Sequence, residues 1–147
     1  MKREEAVELI LDAKRAKGIK WSHIAAKVGK SKEWVVAGCL GQMTFNEEQA
    51  KAVVEYLGLP SEISAALQIP PYRGSLPTTV PTDPLIYRFY ELISVYGTTF
   101  KELIAEEFGD GIMSAIDFKM NLAREPDPAG DRIQVVMSGK FLPYKEY

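Results

Sequence analysis

The segment DPLIYRFYELISVYGTTFKELIAEEFGDGIMSAIDFKM, residues 83–120, decides the fold class because the spacing of its apolar residues changes along it. Over residues 85–96 they recur every three or four positions, which is typical of a helix. Over residues 116–122 they alternate with polar residues, which is typical of a half-buried strand. Residues 133–137 alternate in the same way, and the turn sequence DPAG at 127–130 predicts a hairpin. The sequence therefore predicts an α+β fold.

Glycine and capping residues predict where these C-terminal elements begin and end. Pro84 suits the first turn of a helix, and Gly97 predicts that this helix stops at about Tyr96. The run TFKE at 99–102 is a capping-box pattern and predicts a second helix ending near residues 108–109. A further short turn of helix, from residue 110 or 111 to Ser114, is predicted before the strand.

The first part of the chain shows short helical patterns separated by turn residues. Gly18 predicts the end of the first helix, and the run TFNE at 44–47 is a capping-box pattern that predicts the start of another. The predicted helices after Gly18 cover residues 22–28, 31–40, 44–57 and 61–67. Their arrangement resembles the helix-turn-helix fold of small phage repressors.

Prolines divide the chain into two parts. Five of them fall within residues 70–84, and proline removes backbone donors and disfavours helix. We therefore predict a helical N-terminal domain at 1–69, a proline-rich linker at 70–83 and a second domain at 84–147. A short helix and a lone hairpin cannot bury their own apolar faces, so we expect the second domain to pack against other copies of the chain.

Composition excludes several classes of protein. The net charge is −2 over 147 residues, which argues against a uniformly basic nucleic-acid binder. The chain has one cysteine, Cys39, so no intrachain disulfide can form. The charged N-terminal sequence does not resemble a signal peptide, and no segment approaches the roughly 20 apolar residues of a membrane span. We therefore expect a cytoplasmic protein with no membrane association.

Arg88 and Glu91 are the first candidates for a functional site. They are three residues apart on the predicted helix, so their side chains are neighbours beside an apolar stripe. One interpretation is a surface ion pair that contributes about 0 to 1 kcal/mol. The other is an arginine held by a carboxylate and aimed at an anion, since the guanidinium is permanently charged and matches planar oxyanions.

The C-terminal sequence resembles that of the cyanase (cyanate hydratase) family. The YRFYE segment at 87–91 and the GDGIMSAIDF segment at 109–118 carry the resemblance, which extends from Asp83 to the end of the chain. The helical N-terminal part is similar to the N-terminal domain of the same family, though less distinctively. The resemblance implies a lyase whose catalytic residues are Arg88, Glu91 and Ser114.

The resemblance also implies the reaction. In this family bicarbonate attacks the carbon of cyanate to give a carboxycarbamate, which loses carbon dioxide. The resulting carbamate then breaks down to ammonia and a second carbon dioxide. Bicarbonate is thus a co-substrate, and no metal or organic cofactor is implied. Similar enzymes are homodecamers built as a pentamer of interlocked dimers, with active sites between subunits.

Two other kinds of function remain open from the residues alone. The N-terminal helices could form a DNA-binding module, and seven basic residues between positions 14 and 32 have no acidic residue among them. However, the predicted recognition helix reads WVVAGCL and offers almost no side chain for base edges, so we do not expect nucleic-acid binding. The C-terminal helix and hairpin would also suit a purely structural oligomerisation domain.

The remaining reactive residues predict no second site. His23 is the only histidine and is expected in a surface or packing role. Cys39 could act as a nucleophile, but a buried apolar role is favoured. Asp110 and Asp117 could bind a metal, yet no histidine or cysteine cluster supports them.

Overall fold

The computed structural model describes residues 1–74 and 76–147, and over these residues it contains helices and one antiparallel hairpin, confirming the α+β class. The chain divides into two compact units, Met1–Ser75 and Leu76–Tyr147. The elements of the first unit are α1 (Arg3–Ala16), α2 (Trp21–Val28), α3 (Lys32–Cys39), α4 (Glu47–Leu57) and α5 (Glu62–Gln68). Those of the second unit are α6 (Pro84–Phe108), β1 (Gly111–Glu125) and β2 (Arg132–Pro143).

The N-terminal unit has a continuous apolar core. Every one of its helices contributes buried residues, and the largest fully buried side chain is Phe45, which precedes α4. The Phe45 ring lies 5.1 Å from that of Trp34, measured between centroids. Gly38 on α3 makes room for it, because a Cβ at that position would lie 2.3 Å from the ring. The helices are thus held by one well-packed cluster.

Helix α4 begins two residues later than a cap at Thr44 would place it. Asn46 is the N-cap, and its side chain accepts a hydrogen bond from the backbone N–H of Gln49. The Gln49 side chain accepts in return from the N–H of Asn46 at 3.0 Å. The predicted capping box at 44–47 was therefore wrong, because the neighbouring asparagine forms the same reciprocal pair with Gln49.

Two basic side chains join distant helix ends within the N-terminal unit. The Arg3 guanidinium donates to the carbonyl oxygens of Met43 at 3.4 Å and Leu67 at 3.2 Å, and also to that of Ile69. The Lys17 ammonium donates to the carbonyl of Leu57 at 2.5 Å, at the end of α4. The last carbonyls of a helix lack partners within the helix, so the Lys17 bond satisfies a group that would otherwise depend on water. The Leu67 carbonyl also accepts from the backbone N–H of Phe45 at 3.1 Å.

Helix α6 is a single helix of 25 residues, and the predicted break at Gly97 was wrong. Asp83 caps its start by accepting from the N–H groups of Leu85 and Ile86. Gly97 lies inside the helix without a positive φ, and a glycine there costs only about 1 kcal/mol relative to alanine. The helix ends at Gly109, whose φ of 94° is disfavoured for other residues.

Strands β1 and β2 form the predicted hairpin. Their register is antiparallel and regular from the pair Phe118–Gly139 to the pair Glu125–Arg132. In the turn region Asp131 accepts from the Arg124 guanidinium at 2.7 Å and from the backbone N–H of Asp127. The arginine bond first, and the backbone bond second, lower the pKa of the Asp131 carboxyl.

The start of β1 corrects another expectation from the sequence. Residues 110–114 do not form a turn of helix, because the extended chain begins at Gly111 and pairs with Pro143. Gly111 must be small there, since a Cβ would lie 2.4 Å from the carbonyl oxygen of Leu142. Glycine therefore marks a close approach of two strands here, where the sequence suggested the start of a helix.

The C-terminal unit leaves most of its apolar surface exposed in a single chain. Helix α6 has no buried residue, and both strands of the hairpin are largely exposed. Exposed apolar patches of this extent mark interaction surfaces. Over the described part of the chain, no helix is both long and apolar enough to cross a bilayer.

Truncating Phe45 tests the packing of the N-terminal unit. We expect Phe45→Ala to lower the free energy of unfolding by about 3–5 kcal/mol, because it removes a buried ring and leaves a cavity. Tyr72→Ala is the matched control, since Tyr72 is fully exposed and its truncation should change stability by no more than about 0.5 kcal/mol. Denaturant unfolding followed by circular dichroism measures both. Equal losses for the two variants would contradict this description of the core.

Candidate active site

Arg88 and Glu91 form the expected pair on the first half of α6. The Arg88 Nη1 atom lies 3.2 Å from Oε2 of Glu91, and both side chains are at least half exposed in the single chain. The guanidinium also lies 5.7 Å from the centre of the Tyr87 ring. The helical spacing of three residues produces this contact. The carboxylate therefore restrains the arginine while leaving much of its charge available.

The exposed apolar side chains of α6 surround this pair. Phe89, Tyr90 and Leu92 are each more than two-fifths exposed, as are residues further along the helix. A charge beside an uncovered apolar surface is solvated in the single chain. If a second copy covered this surface, the dielectric around Arg88 would fall and its interaction with an anion would strengthen.

Ser114 lies in an irregular part of β1. The register between the strands shifts between Met113, which pairs with Phe141, and Phe118, which pairs with Gly139. The Ser114 hydroxyl oxygen accepts hydrogen bonds from the backbone N–H groups of Ile116 at 3.0 Å and Asp117 at 2.9 Å. Only 5% of Ser114 is exposed. The expected helix start beside Ser114 was therefore wrong, and a strand bulge surrounds its hydroxyl.

A single chain does not bring all three candidate residues together. Among the described residues, no hydrogen bond or ion pair links Ser114 to Arg88 or Glu91. Arg88 lies near the start of α6 and Ser114 follows its end, and the helix rises by about 30 Å over the 20 residues from Arg88 to Phe108. The structure therefore assembles the Arg88–Glu91 pair and the Ser114 bulge as two separate parts.

The structure also places residues near Ser114 of which sequence reasoning had singled out only Asp117, as a candidate metal ligand. A shallow hollow beside the bulge is lined by Asp117, Phe118, Lys119, Ser138, Gly139 and Lys140. All six residues come from the two strands, and the pairs Phe118–Gly139 and Lys119–Ser138 are brought together only by the hairpin register. Spacing along the sequence carries no signal for this arrangement, because the register shift is not visible in the alternation pattern.

The other candidate residues do not form a second site. Cys39 is fully buried, and this burial raises the pKa of its thiol to about 12, so the thiolate nucleophile is scarcely populated near neutrality. His23 is exposed on α2. Within residues 1–74 and 76–147, no group of three or more His, Cys, Asp or Glu side chains could hold a metal ion.

Part of the predicted recognition helix faces the core of the N-terminal unit. Val35, Gly38 and Cys39 of α3 are buried in the core, so they cannot reach base edges. Two of the basic side chains lie over aromatic rings of the same unit, Lys14 over Trp21 at 4.9 Å and Lys27 over Tyr56 at 5.4 Å. These contacts are cation–π interactions within the fold, and they give Lys14 and Lys27 a structural role.

Comparison with known proteins covers both units. The family model of the cyanate lyase C-terminal domain matches residues 78–146, and that of the cyanate hydratase N-terminal region matches residues 3–71. Proteins named cyanate hydratase from Methylibium petroleiphilum and from a Polaromonas species are 69% and 67% identical over all 147 residues, with both chains fully covered.

A solved structure agrees with the sequence relatives. The crystal structure of cyanase from T. urticae superposes with a TM-score of 0.82 at 36% identity, covering 94% of this chain and 96% of that one. The chain is therefore an enzyme of the lyase class and belongs to the cyanate hydratase family.

Proposed function

We propose that this enzyme decomposes cyanate in a reaction that requires bicarbonate, with Arg88, Glu91 and Ser114 as its catalytic residues. The observation that carries the proposal is the Arg88–Glu91 pair in the mainly apolar first half of α6, whose charged atoms lie 3.2 Å apart. Membership of the cyanate hydratase family gives the substrate class. The relatives named cyanate hydratase supply the name of the activity. The residues of this chain supply the charge and the hydrogen-bond donor that such a reaction needs.

The main physical problem of the proposed reaction is that both substrates are anions. Two unit charges 4 Å apart repel each other by about 4 kcal/mol at an effective dielectric near 20. The permanently charged guanidinium of Arg88 can offset this repulsion and can bind two oxyanions through its several N–H donors. Arginine suits this role better than lysine because its donors form a planar fork.

The size of cyanate makes charge the main source of its affinity. Cyanate has three heavy atoms, and a ceiling of about −1.5 kcal/mol per atom limits its binding to roughly −4.5 kcal/mol. That free energy corresponds to a dissociation constant somewhat below about 1 mM. A ligand this small buries little area, so fixed charges and hydrogen bonds must provide most of its binding free energy.

Glu91 acts on Arg88 in this proposal. A carboxylate that touched an anionic substrate directly would repel it. Its contact with Nη1 of Arg88 restrains a long side chain that would otherwise sample many rotamers. We therefore assign Glu91 to orienting the guanidinium.

Ser114 acts as a hydrogen-bond donor and not as a nucleophile. No histidine or lysine contacts its hydroxyl among the described residues, so nothing there would activate it for attack. Its two backbone partners both donate to the oxygen, and the hydroxyl proton remains for an anion. Bicarbonate supplies the attacking oxygen.

The proposed chemistry balances without a redox step. An oxygen of bicarbonate bonds to the cyanate carbon to form carboxycarbamate. The bond between that oxygen and the former bicarbonate carbon then breaks, releasing carbon dioxide and leaving carbamate, which breaks down to ammonia and a second carbon dioxide. Two protons are taken up overall, and carbon and nitrogen keep their oxidation states. The reaction as written therefore needs no redox cofactor.

The oligomer belongs to the same proposal. Helix α6 has no buried residue in one chain, and one chain does not bring Ser114 to Arg88. A homodecamer built as a pentamer of interlocked dimers would cover the apolar face and could place residues of different copies around one site. Several arginines would then act on the same small anions, which strengthens the electrostatic argument.

An ammonia-release assay with and without bicarbonate tests the proposed reaction. We expect the wild type to release ammonia from cyanate only when bicarbonate is present. Arg88→Ala should lower kcat/KM by about 10²–10³-fold, as expected for the loss of one preorganised electrostatic partner. Arg124→Ala is the matched control, since Arg124 is also an exposed, ion-paired arginine and should keep wild-type activity. Activity that does not depend on bicarbonate would contradict the mechanism.

A charge introduced on α6 tests whether other copies cover it. Leu103 is exposed in the single chain and lies about 22 Å along the helix from Arg88. We expect Leu103→Asp to disrupt the decamer in sedimentation velocity and to remove activity, because it places a carboxylate in an apolar interface. Tyr72→Asp, at an exposed position of the N-terminal unit, should leave both unchanged. A wild-type monomer with full activity would refute this part of the proposal.

A further inference from the structure

In the bulge that contains Ser114, the two strands contribute unequal numbers of residues. Between the pairs Met113–Phe141 and Phe118–Gly139, four residues of β1 stand opposite the single residue Lys140 of β2. These four residues leave the regular ladder, and the Ser114 hydroxyl oxygen accepts hydrogen bonds from the backbone N–H groups of Ile116 and Asp117 among them. Such bulges redirect a side chain where a regular strand could not.

The two hydrogen bonds determine what the Ser114 hydroxyl can do. A serine hydroxyl has one proton to donate and two lone pairs that accept. Both lone pairs are used by backbone N–H groups, at 3.0 Å and 2.9 Å. No acceptor for the proton is present among the described residues. The hydroxyl is therefore held as a donor, and two N–H bonds to its oxygen strengthen that donor by polarisation.

Gly139 lies against the backbone of this bulge. A Cβ at position 139 would come within 2.3 Å of the Ser114 carbonyl oxygen and 2.6 Å of Cγ of Met113. Gly139 does not have a positive φ, so its conformation alone would allow other residues. The requirement for glycine comes from the close approach of β2 to the bulge. The methionine side chain could move aside, but the carbonyl oxygen is backbone and could move only with the bulge.

We propose that Gly139 is a positioning residue that acts through Ser114. Its missing side chain lets β2 lie against the Ser114 carbonyl, and this contact holds the bulge in the conformation that presents the Ser114 proton to a substrate anion. The inference rests on the proposed function, in which Ser114 donates to cyanate or bicarbonate. It adds a residue on the opposite strand that has no functional atom of its own.

The Gly139→Ala variant tests this inference in the full-length oligomer. We expect kcat/KM for cyanate to fall on the order of 10²-fold, as for other displacements of about 1 Å in an active site. The inhibition constant of azide, a linear triatomic anion like cyanate, should rise with it. Tyr72→Ala is the control, because Tyr72 is fully exposed on the N-terminal unit and lies outside α6 and the hairpin, and it should keep wild-type constants. Wild-type constants for Gly139→Ala would overturn the inference.

A double-mutant cycle separates positioning from a general loss of structure. If Gly139 acts through Ser114, then Gly139→Ala should have little further effect on kcat/KM in a Ser114→Ala background. Losses that multiply in the double variant would mean that Gly139 acts independently of Ser114 and would overturn the inference. If Ser114→Ala alone keeps full activity, the assigned role of Ser114 in the proposed function fails first, which is a distinguishable result.

Hydrogen exchange provides a readout that does not depend on activity. Amides of the segment 114–118 should exchange slowly in the wild type and faster in both Ser114→Ala and Gly139→Ala.

If Gly139→Ala does not assemble, a second substitution, Met113→Ala, removes the overlap of the new Cβ with the Met113 side chain. The overlap with the Ser114 carbonyl oxygen remains in that double variant. If that variant also fails, Ala115→Gly loosens the bulge without touching Gly139. Unchanged exchange and kinetics in Ala115→Gly would overturn the claim that the conformation of the bulge presents Ser114.

Discussion

The C-terminal unit is constrained by an apolar surface that it cannot bury alone. One helix and a two-stranded hairpin provide no second layer, so every residue of α6 remains at least partly exposed. The N-terminal unit differs, because its helices enclose a continuous core around Phe45. The exposed surface carries Arg88 and Glu91, so whatever covers it would also remove water from this ion pair. Helix α6 therefore carries both the apolar surface that needs a partner and the charged pair whose electrostatic strength depends on that partner.

Most element types were predictable from the sequence, whereas several boundaries and the short turn of helix expected at 110–114 were not. Alternation over residues 116–122 gave the strand, and the spacing of three gave the Arg88–Glu91 contact, because both depend only on local geometry. The break predicted at Gly97 failed because a glycine inside a long helix costs little compared with the hydrogen bonds that continue through it. The predicted capping residue of α4 was wrong because Thr44 and Asn46 both offer a side chain that can cap a helix.

The surroundings of Ser114 could not be predicted for a different reason. Its hydroxyl bonds depend on a bulge, and the bulge depends on how two strands align over several residues. Periodicity shows that a strand exists but does not report where its register shifts. The role of Gly139 could not be predicted for the same reason, since Gly139 and Ser114 lie 25 positions apart in the sequence and approach each other only in the folded hairpin. The family resemblance named Ser114, and only the structure shows how its hydroxyl is held.

Mixing two inactive variants tests most directly whether the site is shared between copies. Arg88→Ala and Ser114→Ala chains would be unfolded together, refolded and assayed for ammonia release from cyanate with bicarbonate. If one site takes Arg88 and Ser114 from different chains, the hybrids contain some sites with both residues intact, and activity should reappear well above that of either variant alone. Hybrids confirmed by native mass spectrometry that remain as inactive as their parents would contradict the account.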